Sequence, residues 1–394
     1  MDIRFDFFTA PEIYFGNGRI KELPELCLSF GKRVLLVKGG QSLEKSGQLA
    51  TLLYMMDKKG LSVHVMSVTA EPEVDLIDSM VDQAKSCHPD VVVAIGGGSV
   101  LDAAKAVSGL ITNGGSVMEY LEGVGTGRMI EQPAIPFIAV PTTSGTGTEV
   151  TKNAVISSRA MKFKKSIRHQ FLIPRIAVID PELTLSQLPE VTAACGMDAL
   201  TQLIEPYLSI KSNPFTDAIC LKGIELVSRS LRRAYINGSD LEARENMCLA
   251  SLMGGIALAN AGLGAVHGIA APLGAFFPLA HGVACATVLP AAFQVNASAL
   301  AQSGEKSAIL AKFADVSRVI TRVDKKDDPK AISMGISWLN DLKRDLGIPS
   351  LSQLGIRESD LPLIVSESRG SSMKTNPVVL KDEDIEEILR LSLK

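Results

Sequence analysis

The chain has 394 residues, 40 Lys+Arg against 43 Asp+Glu, a formal charge of −3 and a pI near 6.0. That length predicts two domains, each with its own core, and a cleft between them as the expected place for a site. No basic run is present to follow a phosphate backbone, which argues against a nucleic-acid partner. Six cysteines stand singly, without a CxxC pair, as expected of reduced thiols in a cytoplasmic protein. The first residues, MDIRFDFFTAPEIYFGNG, mix charges with apolar groups and lack the uninterrupted apolar segment of a signal peptide.

In chain order, Arg33–Val37, Leu61–Met66, Asp90–Ile95, Ile135–Val140 and Ile176–Ile179 are short, β-branched, nearly continuous apolar runs. Such runs predict strands buried on both faces, in a parallel sheet covered by helices. Between two of them, Asp75–Cys87 places Ile77, Met80, Val81 and Ala84 on one helical stripe. After Asp180–Pro181 the pattern changes. From Thr184 to Lys394 nearly every segment reads as helix, with turns at Ser212–Pro214, Asn237–Gly238, Gly347–Pro349 and Asn376–Pro377, and Thr321–Lys330 is expected to be a solvated loop. The expectation is an α/β domain with a parallel sheet over residues 1–183 and an all-helical domain over 184–394.

From Asn246 to Gly304 there is no Asp, Glu, Lys or Arg. A membrane span is argued against by the Gly- and Ala-rich composition and by Asn260, His267, Pro272 and His281, so these residues are expected to form buried helices of a soluble protein.

Three groups of residues carry chemistry. In IGGGSVLDAAK, Gly96, Gly97, Gly98 and Ser99 follow a strand and precede a helix through Asp102 and Lys105. Glycines there let backbone N–H groups approach a pyrophosphate at the positive end of a helix, although a tight turn alone also needs glycine, and the spacing is not GxGxxG. In PTTSGTGTEVT, Pro141 to Thr151, hydroxyls and open backbone suit phosphate, ribose or a nicotinamide amide, or simply a polar turn. Asp198 and Gln202 are four apart on a helical pattern and face one way, while His267 and His281 are the only basic side chains of the uncharged stretch. A lone buried His is ordinarily a satisfied core residue; one carboxylate with two neutral imidazoles suits Zn(II) or Fe(II) acting as a Lewis acid.

Taken in order, GGGSxxDxAK, PTTSGTGxEVT, Asp180–Pro181, GMDAL at Gly196–Leu200, HGxxxPLGAxF with a later HG, and NP with an acidic helix at Asn376–Ile385 resemble the iron-containing (group III) alcohol dehydrogenase family over essentially the whole length. The resemblance implies a Rossmann-like, dehydroquinate synthase-like N-terminal fold, a helical metal domain, a homodimer, and a metal-dependent alcohol dehydrogenase or aldehyde reductase. It further implies that Gly97, Gly98, Ser99, Asp102, Thr142, Thr143, Thr146 and Lys164, or Lys165 beside it, touch the dinucleotide. Metal ligation falls to Asp198, Gln202, His267 and His281, with Asp198, His267 and His281 catalytic.

Three positions depart from the family pattern. Gln202 stands where a ligating His is usual, and a neutral amide oxygen is a poorer partner for Fe(II); the resemblance to the related glycerol dehydrogenases implies the alternative that Asp198, His267 and His281 alone hold zinc while Gln202 orients substrate. Ala271, four residues after His267, stands where many relatives have a proton-relaying His. After the strand RVLLV, an acid that would bind the ribose 2′-hydroxyl is replaced by Lys38-Gly39-Gly40-Gln41-Ser42, which favours NADP(H) over NAD(H), with Gly39 at the cofactor. The expected substrate is a small primary alcohol or aldehyde, with one Fe(II) or Zn(II). Two further readings stay open: a metal-free reductase resembling the maleylacetate reductases, and a catalytically silent nucleotide binder.

Overall fold

The structure, a computed structural model, describes residues 4–277, 279–303, 307–323 and 326–394. It divides into two compact units: Phe8–Thr143 with Gly147–Ser186, and Gln187–Lys394 with Ser144–Thr146 and the residues up to Phe7.

The first unit is α/β. Its strands β1 (Glu12–Phe15), β2 (Arg33–Lys38), β3 (Ser62–Ser67), β4 (Val91–Gly96), β5 (Phe137–Pro141) and β8 (Ile176–Ile179) form one parallel sheet in the order β1-β8-β5-β4-β2-β3. Helices α1 (Leu23–Leu28), α2 (Ser42–Lys45), α3 (Gln48–Lys58), α4 (Val74–Cys87) and α5 (Gly98–Asn113) connect them. The continuous apolar runs are explained by the pleat: Leu35, Val37, Val92 and Ala94 face one core with Ile77 and Met80 of α4 and Val107 of α5. Val34, Leu36, Val91 and Val93 face the other with Leu52 and Met56 of α3. Each such Val, Leu, Ile or Met side chain, when buried, contributes about 1.5–3 kcal/mol, so a polar substitution on either face of β2 or β4 loses core.

Two features depart from the sequence-based expectation. The strand β1 was not foreseen, nor was the antiparallel pair β6 (Asn153–Ser158) and β7 (Phe163–Arg168), which buries Ala154, Ile156, Phe163 and Ile167 while Lys164, Lys165 and Ser166 interrupt the apolar run. The segment Thr321–Lys330 is not wholly loop. Thr321 ends one helix, and the Asp327 carboxylate accepts the Lys330 N–H at 3.1 Å to cap the next; Asp324 and Lys325 lie outside the described residues.

The second unit is helical: α6 (Pro189–Leu208), α7 (Pro214–Ile236), α8 (Leu241–Ala261), α9 (Ala265–Phe276), α10 (His281–Ser303), α11 (Ser307–Thr321), α12 (Asp328–Asp345), α13 (Leu361–Glu367) and α14 (Asp382–Ser392). The uncharged stretch becomes the end of α8, then α9 and α10. Between α8 and α9 the chain bends by 100° at Gly262, whose φ of +77° favours glycine. Among the described residues, α10, and α8 with α9 taken across the bend, are long and apolar enough to cross a membrane; in α10, 78% of the apolar window is buried against the other helices.

Candidate metal and cofactor sites

Helix α6 is buried along most of its length, and it sets Asp198 and Gln202 on successive turns, where Gln202 Nε2 donates to Asp198 Oδ2 at 3.0 Å. The other carboxylate oxygen, Oδ1, lies 3.5 Å from His267 Nε2 on α9 and 3.8 Å from His281 Nε2 on α10. One turn beyond His281, Cys285 Sγ lies 3.7 Å from His281 Nε2. One donor atom from each of Asp198, His267, His281 and Cys285 falls within 4.8 Å of the others.

The site is polar but internally unsatisfied. Asp198 Oδ1, Gln202 Oε1 and His267 Nε2 are buried and make no hydrogen bond. Leaving such an atom unpaired costs about 1–3 kcal/mol, and a divalent cation among converging oxygen, nitrogen and sulfur donors removes that cost, so the residues fit a metal ion.

A fifth residue orients the set. Glu205, two turns after Asp198 on α6, accepts from His267 Nδ1 at 2.6 Å with one oxygen and from the Val266 N–H at 2.6 Å with the other. A ring that donates from Nδ1 keeps its Nε2 lone pair, and that atom faces Asp198. The start of α9 is fixed from far along the sequence: Asn376 Oδ1 accepts the Ala265 N–H at 3.0 Å, Asn376 Nδ2 donates to Asn296 Oδ1 at 2.6 Å, and Thr375 Oγ1 donates to the Leu263 carbonyl. This is the role of the Asn-Pro turn singled out in the sequence.

The charges follow from this crowding. Burial works to raise the Asp198 carboxyl, but His281 and then His267 outweigh it and hold the group below its ordinary value. Burial opposes charge on His267, yet the Glu205 and Asp198 carboxylates carry it well above its ordinary value. Burial pushes the Cys285 thiol up to about 12.

In the α/β unit, a cavity of about 350 Å³ lies at the C-terminal ends of β2, β3, β4 and β5, where the sheet order reverses between β2 and β4. Its walls include Gly39, Gly40 and Ser42 after β2, Thr69 and Glu71 after β3, Gly97 and Ser99 at the start of α5, and Thr142 after β5. The α5 N-terminus has no side-chain cap, and its backbone N–H dipoles favour an anion. Glycine is required at Gly96, where a Cβ would stand 2.6 Å from Val100.

Of the residues expected at the cofactor, the cavity gathers Gly39, Gly97, Ser99 and Thr142. Gly98 is the first residue of α5, and Thr143 Oγ1 lies 3.4 Å from where a Cβ on Gly97 would be. Asp102 is buried beneath β6, accepting the Val155 N–H at 3.2 Å, and burial pushes its carboxyl up to about 6. Lys164 lies on β7 and reaches the cavity wall only through its 2.6 Å ion pair with Glu71. Lys165 is its neighbour on that strand, and Thr146 is grouped with the helical unit.

The Thr-rich loop is held by Lys105, whose fully buried ammonium donates to the carbonyls of Thr148 at 2.8 Å, Thr151 at 2.9 Å and Asn153 at 2.9 Å. Beside it the Glu149 carboxyl is pushed up to about 7 by burial.

Lys38 departs from the sequence-based expectation. Its ammonium turns back under the loop to donate to the carbonyls of Gly39 at 3.2 Å and Gly40 at 3.1 Å, and it pairs with Glu44. Its charge is thus neutralised at the base of the turn and does not line the cavity.

Glu205 and Cys285 were not foreseen as site residues. The available signals were spacing alone: Glu205 seven residues after Asp198 on one helix face, and Cys285 four after His281.

The family model described as iron-containing alcohol dehydrogenase matches residues 10–181, and that for the C-terminal part of the Fe-containing alcohol dehydrogenase family matches residues 192–393. The chain is 33% identical over 387 residues to alcohol dehydrogenase 4 of Saccharomyces cerevisiae, covering 98% of this chain and 97% of the yeast protein. It is 31% identical over 392 residues to the NAD-dependent methanol dehydrogenase of Bacillus methanolicus, covering 98% and 100%. A crystal structure of a 1,3-propanediol oxidoreductase superposes with a TM-score of 0.91 at 31% identity, covering 99% of this chain and 100% of that one.

Proposed function

The chain belongs to the iron-containing alcohol dehydrogenase family, and from that premise we propose that it transfers hydride between NADP(H) and a small primary alcohol or aldehyde, using one divalent metal ion. The observation that carries the metal-dependent reading is the convergence of unsatisfied Asp198 Oδ1 and His267 Nε2 beside His281, with Glu205 fixing the His267 ring. When bound, the ion supplies Lewis acidity at the substrate oxygen, and the nicotinamide gives or takes the hydride.

This chain's own residues prepare that chemistry. Asp198, His267 and His281 hold the ion. Gln202, tied to Asp198 through its amide nitrogen, keeps Oε1 for the ion or the substrate. Gly97, Gly98 and Ser99 offer backbone N–H groups to the pyrophosphate, Gly39, Thr142 and Thr143 border the same cavity, and Asp102 under β6 and Lys164 on Glu71 support its walls. Ala271, exposed one turn beyond His267, has no group to hold a proton, so proton exchange falls to water and ribose hydroxyls. The charge-free helices carrying His267 and His281 suit a small uncharged substrate, in keeping with relatives named for methanol and 1,3-propanediol.

The preference for NADP(H) rests on the Gly39–Ser42 turn, which offers no carboxylate to repel a 2′-phosphate; Lys38, already neutralised, adds nothing to it. The homodimer is read from the family resemblance and is checked by light scattering. The main test is turnover of short aldehydes with NADPH and NADH, before and after chelator treatment and with Zn(II) or Fe(II) restored. Turnover indifferent to chelation, with no ion retained, would refute the metal-dependent reading.

A further inference from the structure

Gln202 is a weak candidate for the fourth ligand. Its Nε2 donates to Asp198 Oδ2, which fixes the amide and leaves Oε1 as its one donor for an ion. That oxygen is neutral and a poor donor. Cys285 offers a stronger one. It is fully buried, it projects from α10 one turn after His281, and its sulfur belongs to the one cluster of His, Cys, Asp and Glu donors, among the described residues, that lies close enough to hold an ion.

Donor chemistry favours the sulfur as well. A thiolate is an anionic, polarisable donor that binds a divalent ion more strongly than a neutral amide oxygen does. The unsatisfied Asp198 Oδ1 and His267 Nε2 show that the cluster points to a ligand rather than to a lone buried cysteine.

We propose that Cys285, not Gln202, is the fourth metal ligand, and that its sulfur makes this a zinc site in a family named for iron. The inference rests on the metal-dependent reading above and adds a ligand and an ion to it. Soft thiolate donors select zinc over Fe(II). On binding, the S–H bond breaks, sulfur donates its pair to the ion and the proton leaves to solvent, so ion uptake releases about one proton per site. Gln202 then positions Asp198.

The test is cobalt substitution of the full-length protein. One Co(II) per chain with a sulfur-to-cobalt charge-transfer band in the near ultraviolet is expected. Cys285→Ala should lose that band and weaken ion binding at least about tenfold, Cys248→Ala should keep it, and Gln202→Ala should keep it too. Zinc should dominate over iron when the protein is supplied with both, and Cys285→Asn should shift that ratio toward iron. Bound cobalt without the band in the unsubstituted protein overturns the Cys285 assignment and leaves the metal-dependent reading intact. No bound cobalt or zinc at all overturns both. Because the first readout needs no variant, a misfolded Cys285→Ala protein does not rescue the proposal.

Discussion

Glu205 and His267 meet at 2.6 Å, oxygen to Nδ1, and the other Glu205 oxygen holds the backbone of the residue just before that histidine. One carboxylate therefore fixes both the ring and the peptide that carries it. Glu205→Gln keeps the shape and loses the charge, and removing such an outer partner typically costs about 10- to 100-fold in metal affinity. Competition with a chromogenic chelator measures this. Affinity unchanged within twofold would mean that Glu205 serves only to cap α9.

Gly40 lines the cavity, and a Cβ there meets no atom within 4 Å. Gly40→Asp should therefore be sterically tolerated while placing a carboxylate in the cofactor cavity. Like charges about 4 Å apart repel by about 1–4 kcal/mol, so the ratio of kcat/KM for NADPH over NADH should fall about tenfold or more. Lys38→Met should leave the ratio nearly unchanged, because Lys38 already pairs with Glu44. A collapse of the ratio in Lys38→Met alone would show that the Lys38 charge does reach the cofactor.

Gly96 offers the opposite case, since its added Cβ would stand 2.6 Å from Val100. Gly96→Ala forces α5 away from β4 at a cost of about 1–3 kcal/mol, as overpacking usually does. We expect a lower Tm together with weaker dinucleotide binding by calorimetry, while Gly40→Ala is close to neutral in both. Unchanged binding in Gly96→Ala would separate the cavity from the cofactor.

The pH dependence of stability has a local source in Glu149. Burial raises its folded-state value to about 7 against an ordinary 4.5, so the folded chain binds this proton more tightly than the unfolded chain. The stability it contributes is complete below pH 4.5 and is lost as pH rises through 7. Glu149→Gln keeps the uncharged form, and the drop in stability between pH 5 and pH 8 should shrink by on the order of 1–3 kcal/mol. Melting curves at the two pH values decide it; an equal drop in both proteins would place the titration elsewhere.

Legibility in the sequence tracked burial. The central strands β2 and β4 lie in cores on both faces, so their side chains are apolar without interruption and the runs stand out. The edge strand β1 fully buries none of its four residues, the β6–β7 pair buries only some of its own, and Lys164 and Lys165 in FKKSIR read as surface. In the site, Asp198, Gln202, His267 and His281 stood out because charges and histidines are rare on those helices. Glu205 did not, since an acid within LIEPYL carries no sign of its partner. Cys285 reads among alanines as a small hydrophobe. For Lys38 the sequence records a charge but not the direction in which its flexible stem turns.

The Asn376 contact with the start of α9 sets an order of events during biosynthesis. All four proposed ligands have been translated by residue 285, but the helix that presents His267 is closed at its first turn by a side chain 111 positions further on. A chain still emerging from the ribosome thus owns its donors long before it owns their geometry. Loading of the ion is expected to wait for the carboxy-terminal segment to dock, and a chain clipped ahead of Asn376 should release the ion even though none of its ligands has been removed.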